Sequence, residues 1–171
     1  MRRPVIGVMG AGEPSAGNLT AARELGRLVA ERGWVLLTGG RPEGVMGAAS
    51  AGAKGVPGSL TLGILPGAGG GEGRDLDIAV FTGMGEARNM INVLSSDVIV
   101  ACGVEGPGTV SEIALGLRAE KPVILLGASE PARALFQGIR GRSRLLHAGT
   151  PQQVVDLIQN ELGIRRDSWR P

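Results

Sequence analysis

The 171-residue sequence predicts an α/β fold: a single doubly wound, Rossmann-like parallel sheet of about seven strands with helices on both faces. Three observations predict it. Short runs rich in Val, Ile and Leu recur along the chain without polar alternation, the pattern of strands buried on both faces. Segments with apolar residues at three- and four-residue spacing lie between most of these runs, so strands alternate with helices over one domain. Glycines gather where the first, second and fifth runs end, as tight turns ahead of helices require.

The elements follow in order. Val5–Met9 is the first strand, and Leu19, Ala22, Leu25, Leu28 and Val29 mark a helix that Arg32-Gly33 stops. Val35–Thr38 is the second strand. Leu60–Leu65 and Ile78–Phe81 are the next two, separated by Pro66–Asp75 (PGAGGGEGRD), which reads as a mobile loop or, more sharply, a substrate lid. Met90, Ile91, Val93 and Leu94 form a helix ahead of Ser95-Ser96-Asp97. This helix is apolar around more than one face, which predicts burial by the sheet on one side and by a second copy of the chain on the other, so at least a homodimer is expected. Val98–Cys102 is the fifth strand, and Ile113, Ala114 and Leu117 precede the Lys121-Pro122 stop. Val123–Leu126 and Leu145–His147 complete the sheet. Val154, Val155, Ile158 and Leu162 make a last helix that ends at Gly163. Residues 1–163 therefore form the domain and 164–171 a C-terminal tail that frays or docks on a partner subunit.

Composition narrows the function. With 43% hydrophobic and 20% charged residues the chain supplies one good core. No apolar run approaches the ~18 residues that span a bilayer, and the N-terminal stretch MRRPVIGVMGAGEPS is too short and glycine-broken for a signal peptide. A single cysteine, Cys102, excludes an internal disulfide framework. A cytoplasmic protein without membrane contact is expected. The four aromatic residues, Trp34, Phe81, Phe136 and Trp169, are scattered and offer no base-stacking platform. The C-terminal third is basic, with eight cations against four carboxylates from residue 121 onward, but a solvated basic face accounts for it, and nucleic acid is not an expected partner.

In a doubly wound sheet, ligands sit outside the carboxyl ends of the strands near the reversal of strand order, where helix N-termini favour phosphate. Gly10, Gly12 and Ser15 follow the first strand, Gly39 and Gly40 the second, and Gly103, Gly106 and Gly108 the fifth. A dinucleotide fingerprint is incomplete: Ser15 stands where the third glycine belongs, and Thr38-Gly39-Gly40 replaces the ribose-binding acid. No P-loop occurs. A nucleotide- or phosphate-sized ligand of another kind is left, with no metal, nucleotide or redox cofactor required. Thr109-x-x-Glu112 reads locally as a capping box, with Thr109 opening the helix and Glu112 satisfying its N–H. Cys102 lacks a motif partner and reads as a buried, inert thiol, and His147, the lone histidine, as structural.

The run Gly39-Gly40-Arg41-Pro42-Glu43-Gly44-Val45-Met46-Gly47 resembles the GGG-x-x-G-x-M-G segment of the LOG family, Rossmann-fold proteins often labelled lysine decarboxylases. Gly106-Pro107-Gly108-Thr109-Val110-Ser111-Glu112 is similar to that family's PGG-x-GT-x-x-E signature, and Arg88 is placed like its functional arginine. The resemblance implies a phosphoribohydrolase that cleaves the N-glycosidic bond of a nucleoside 5′-monophosphate, giving a free base and ribose 5-phosphate. It assigns catalysis to Glu112 and Arg88, and phosphate binding to Gly106, Gly108 and Thr109. Gly10, Gly12, Ser15, Gly39, Gly40, Met46 and Asn89 are the further candidates for substrate contact. It also implies pairing of subunits through the helices beside the site. Val104-Glu105-Gly106 in place of PGG, Asn89 in place of lysine, and the position of Met84 resemble a neighbouring branch that includes the molybdenum-cofactor carriers. That branch implies an alternative: a non-catalytic carrier or sensor holding a phosphate-bearing pterin or a nucleotide.

Overall fold

The computed structural model describes residues 2–168, with side chains as far as Gly163. Seven strands form one sheet: β1 (Val5–Met9), β2 (Val35–Thr38), β3 (Leu60–Leu65), β4 (Ile78–Phe81), β5 (Val98–Cys102), β6 (Val123–Leu126) and β7 (Leu145–Ala148). Their order is β4-β3-β2-β1-β5-β6-β7, and every neighbouring pair is parallel. The order reverses between β1 and β5, which places the switch point at the centre of the sheet. The helices are α1 (Ala16–Glu31), α2 (Gly44–Lys54), α3 (Asn89–Ser95), α4 (Pro107–Arg118), α5 (Glu130–Ile139) and α6 (Pro151–Ser168), with a 3₁₀ turn at Gly85–Arg88 leading into α3.

Unbroken apolar strands are explained by a core on each face. Val98, Val100 and Cys102 of β5 point into one, with Leu25 and Val29 of α1, Ala49 of α2 and Ile158 of α6. Ile99 and Ala101 point into the other, with Val93 of α3, Ile113 of α4 and Phe136 of α5. α1 and α2 approach so closely that a Cβ on Gly26 would stand 1.9 Å from the Ala49 carbonyl oxygen, and one on Gly52 the same distance from that of Arg23. Gly26 and Gly52 therefore serve helix packing.

Two expectations are corrected. β4 is exposed along its length: as an edge strand it pairs on one side only, with β3, so its apolar run does not mean burial. The last helix passes Gly163 and continues to Ser168, since a helical glycine costs about 1 kcal/mol but does not stop a helix with an amphipathic face docked. Residues 169–171 of the expected tail, Trp169 among them, lie outside the described residues. Among the described residues no helix is long and apolar enough to cross a membrane.

Candidate ligand-binding cleft

The loops leaving β1, β2 and β5 surround a cleft of about 920 Å³ at the carboxyl ends of the central strands. Gly10 and Gly12 line it from the first loop, Gly39 and Met46 from the second, and Gly106, Gly108, Thr109 and Glu112 from α4 and its approach. Arg88 and Asn89 enter from the other side, at the junction of the 3₁₀ turn and α3. The structure thus brings together all the sequence-derived candidates except two. Ser15 is the N-cap of α1, its hydroxyl accepting the Asn18 N–H at 3.4 Å. Gly40 turns away from the cleft with φ of +80° and packs beneath Leu65.

The cleft floor is built around a buried charge pair. Arg88 is 5% exposed and Glu112 6%, with Nη1 and Oε1 3.7 Å apart. Glycine is required at 39 for this placement, because a Cβ there would lie 2.8 Å from Arg88 Nη1 and 2.7 Å from the Met46 sulfur. The side-chain amide of Asn92 donates to Glu112 Oε1 at 2.9 Å. Burial nonetheless raises the Glu112 carboxyl above its ordinary range, outweighing Asn92 and Arg88, which lower it. Burial likewise lowers Arg88, against the opposing pull of Glu112. Asn89 is also engaged, donating to the Ser111 hydroxyl at 2.9 Å.

The expected capping box is absent. α4 begins at Pro107 with Gly106 as N-cap, so Thr109 is already the third helical residue, and Glu112 bonds across to α3 instead of back to Thr109. The Thr109 hydroxyl is 2% exposed and has no hydrogen-bond partner among the described residues. Arg88 Nε and Asn92 Oδ1 share that condition. Two of these atoms, the Thr109 hydroxyl and Arg88 Nε, belong to residues that line the cleft, and they point to a ligand, since each costs about 1–3 kcal/mol when left unpaired.

Around this floor lie Glu13, Glu86 and Glu105, against the single further cation Arg41. Arg41 reaches Glu86 at 3.8 Å across the mouth. Glu105 turns toward α1, where Oε2 accepts the Ser15 N–H at 3.1 Å. Donation from the Asn18 side chain, and less strongly from Ser15, holds its carboxyl below the ordinary range. Glu13 and Ser111 line the cleft but were not singled out by the sequence, because each stands at a position that its motif leaves free. Cys102 is buried, with its thiol pushed up to about 12 by desolvation and the Glu105 charge. His147 is exposed on the edge strand β7, away from the cleft. The loop at 66–75 is tethered by Gly73 N–H donating to the Gly40 carbonyl at 2.8 Å, and with Arg41 and Glu43 it flanks a second hollow of about 470 Å³.

The SLOG cluster4 family model matches residues 3–155, nearly the whole described domain. The chain belongs to the SLOG cluster4 family. Solved structures are similar to it over nearly their whole length. The molybdenum cofactor binding protein of the phototrophic bacterium Rippkaea orientalis is 48% identical with a TM-score of 0.90, over 95% of this chain and 99% of that one. The molybdenum cofactor carrier protein of Chlamydomonas reinhardtii is 42% identical with a TM-score of 0.87, over 94% and 99%. A protein of Archaeoglobus fulgidus is 44% identical over 145 residues, 82% of this chain and 88% of its own length. The resemblance to the LOG group near its carrier branch is thereby upheld, and so is the seven-stranded Rossmann-like architecture of this SLOG cluster4 protein.

Proposed function

We propose that this chain is a carrier that binds the molybdenum cofactor, a phosphate-bearing pterin, with the phosphate at the N-terminal turn of α4. The observation that carries the reading is the Thr109 hydroxyl, buried and unpartnered on the cleft wall beside the free end of a 12-residue helix. A phosphate oxygen there accepts from the hydroxyl and from the Gly108 and Thr109 N–H groups, which have no partner within the helix, and the helix dipole favours its charge. Arg88 adds a cation at the floor. Met9, Met46, Met90 and Leu115 supply flexible apolar walls suited to a flat ring in a cleft without aromatic side chains. The names of two relatives with high identity over nearly their whole length support the same ligand.

The test is pterin recovered with the protein from cells that make the cofactor, read by its fluorescence after oxidation. Wild type should carry close to one equivalent per chain. Thr109→Val, which keeps the shape of the side chain, should lower affinity about tenfold, the loss of one hydrogen bond to a charged group. Wild type free of pterin and unable to take it up would overturn the reading.

One observation favours a second function, hydrolysis of a nucleoside 5′-monophosphate at its glycosidic bond: Glu112, with its raised carboxyl, lines the same cleft next to Arg88. Release of free base from a panel of purine and pyrimidine monophosphates would establish it.

We further propose that the protein is a homo-oligomer. Met90 and Leu94 stand one helical turn apart on the outer side of α3, with Val110 of α4 also exposed, and a second copy is the natural cover for that apolar face. Light scattering should give at least 35 kDa, about twice the chain mass of 17.5 kDa, and Leu94→Asp should reduce it toward the monomer. A wild-type mass of one chain would refute the assembly.

A further inference from the structure

The two loops at the switch point, ahead of α1 and α4, both line one cleft but are treated oppositely. A Cβ placed on Gly106 would lie 3.8 Å from that of Ala11, so the turns before α1 and α4 are in contact. Each helix N-terminus favours an anion, so a second phosphate of a ligand held at α4 would be drawn to the neighbouring start of α1. At α4 the buried Thr109 hydroxyl and Arg88 Nε have no partners among the described residues. At α1 a carboxylate is already present: Glu105 Oε2 accepts the Ser15 N–H at 3.1 Å. The chain is shaped to deliver it. Gly103 adopts φ of +71°, and a Cβ on that residue would stand 2.3 Å from Asn18 Nδ2 and 3.3 Å from Glu105 Oε2. Only glycine lets the strand end turn beneath this contact.

We propose that Glu105 is a specificity-determining residue, its carboxylate standing where a second phosphate would dock at α1, so that the cleft accepts ligands ending in a single phosphate and rejects those with a pyrophosphate bridge. Selection by repulsion follows from charge. A second phosphate meets a fixed carboxylate already satisfied by Ser15, and Glu13 on the same side adds to the unfavourable field. The inference rests on the reading that one phosphate binds at α4.

Calorimetric titration with AMP and ADP tests it on the intact protein. Wild type should bind AMP about tenfold more tightly than ADP, the effect of one like charge at close range in a half-shielded cleft. Glu105→Gln keeps an oxygen to accept the Ser15 N–H, so it should melt within a few degrees of wild type, while its ADP-to-AMP affinity ratio rises about tenfold. Glu105→Gly removes the side chain and should raise the ratio at least as far. An unchanged ratio in both variants overturns the proposal. If AMP then still binds wild type and Thr109→Val still weakens it, the phosphate site at α4 stands and the selection by Glu105 alone falls. If neither probe binds wild type or the variants, the phosphate reading fails and the proposal fails with it.

Discussion

Arg88→Ala is expected to abolish measurable phosphate binding and to lower stability near neutral pH by about 3–5 kcal/mol, because it strands a buried carboxylate. The structural basis is the 3.7 Å pair with Glu112, in which both side chains are almost fully enclosed. The loss should depend on pH, and its sign follows from the Glu112 carboxyl. Burial already raises that group above its ordinary 4.5, and Arg88 is one of two partners restraining the rise. A raised carboxyl means that the folded state binds the proton more tightly, so stability falls as pH rises from the unfolded value through the folded one. Removing Arg88 raises the group further and deepens that fall. Chemical denaturation at pH 5 and pH 8 should therefore show a larger deficit for Arg88→Ala at pH 8. Equal deficits at the two values would mean that Glu112 does not depend on Arg88 for its charge.

The strands were legible because each of the central ones is sandwiched between two cores, and a doubly buried strand leaves an unbroken apolar run. The same signal misled at β4, where Ile78, Val80 and Phe81 carry the run on an exposed edge strand. The cleft was legible through its glycines: Gly39 admits the Arg88 guanidinium, and Gly106 caps the helix whose first turn lines the cleft. What was not legible is tertiary. Thr109-x-x-Glu112 has the letters of a capping box, yet Pro107 takes the first helical position and moves the N-cap three residues back, to Gly106. Glu112 is then released to meet Asn92, a residue on another helix and 20 positions away. Glu105 was noticed as a departure from a family pattern, but its bond to Ser15 crosses 90 residues, and only the meeting of the two βα loops makes it. Local spacing reports which residues a turn or helix wants. It carries no information on which helix a side chain will face.

Glu112→Gln should separate the two functions because the carboxylate has different work in each. In the carrier, Glu112 neutralises Arg88 and competes with the ligand for it. Glutamine keeps the oxygen that accepts from Asn92 at 2.9 Å but drops the charge. The Arg88 cation is then free to act on the phosphate alone, and anion affinity should rise about tenfold, as expected for losing one competing charge at under 4 Å in a partly screened site. The stability cost should be smaller than that of Arg88→Ala, since the enclosed cation gains polar contact at the cleft while the buried carboxylate could not. In a hydrolase the same change removes a negative charge facing an oxocarbenium-like centre, and turnover should fall on the order of a hundredfold or more. Lowering the pH of wild type should imitate the variant: as Glu112 takes up its proton, sulfate, which stays doubly charged, should bind more tightly, and Glu112→Gln should show little of that dependence. Glu86, which faces the same pair and pushes Glu112 upward, is present in both proteins and so does not produce the difference between them. Tighter sulfate and AMP binding in Glu112→Gln, with no free base released by wild type, establishes Glu112 as the counter-charge of a binding site. Unaltered affinity together with wild-type release of base that the variant loses would make the protein a hydrolase instead.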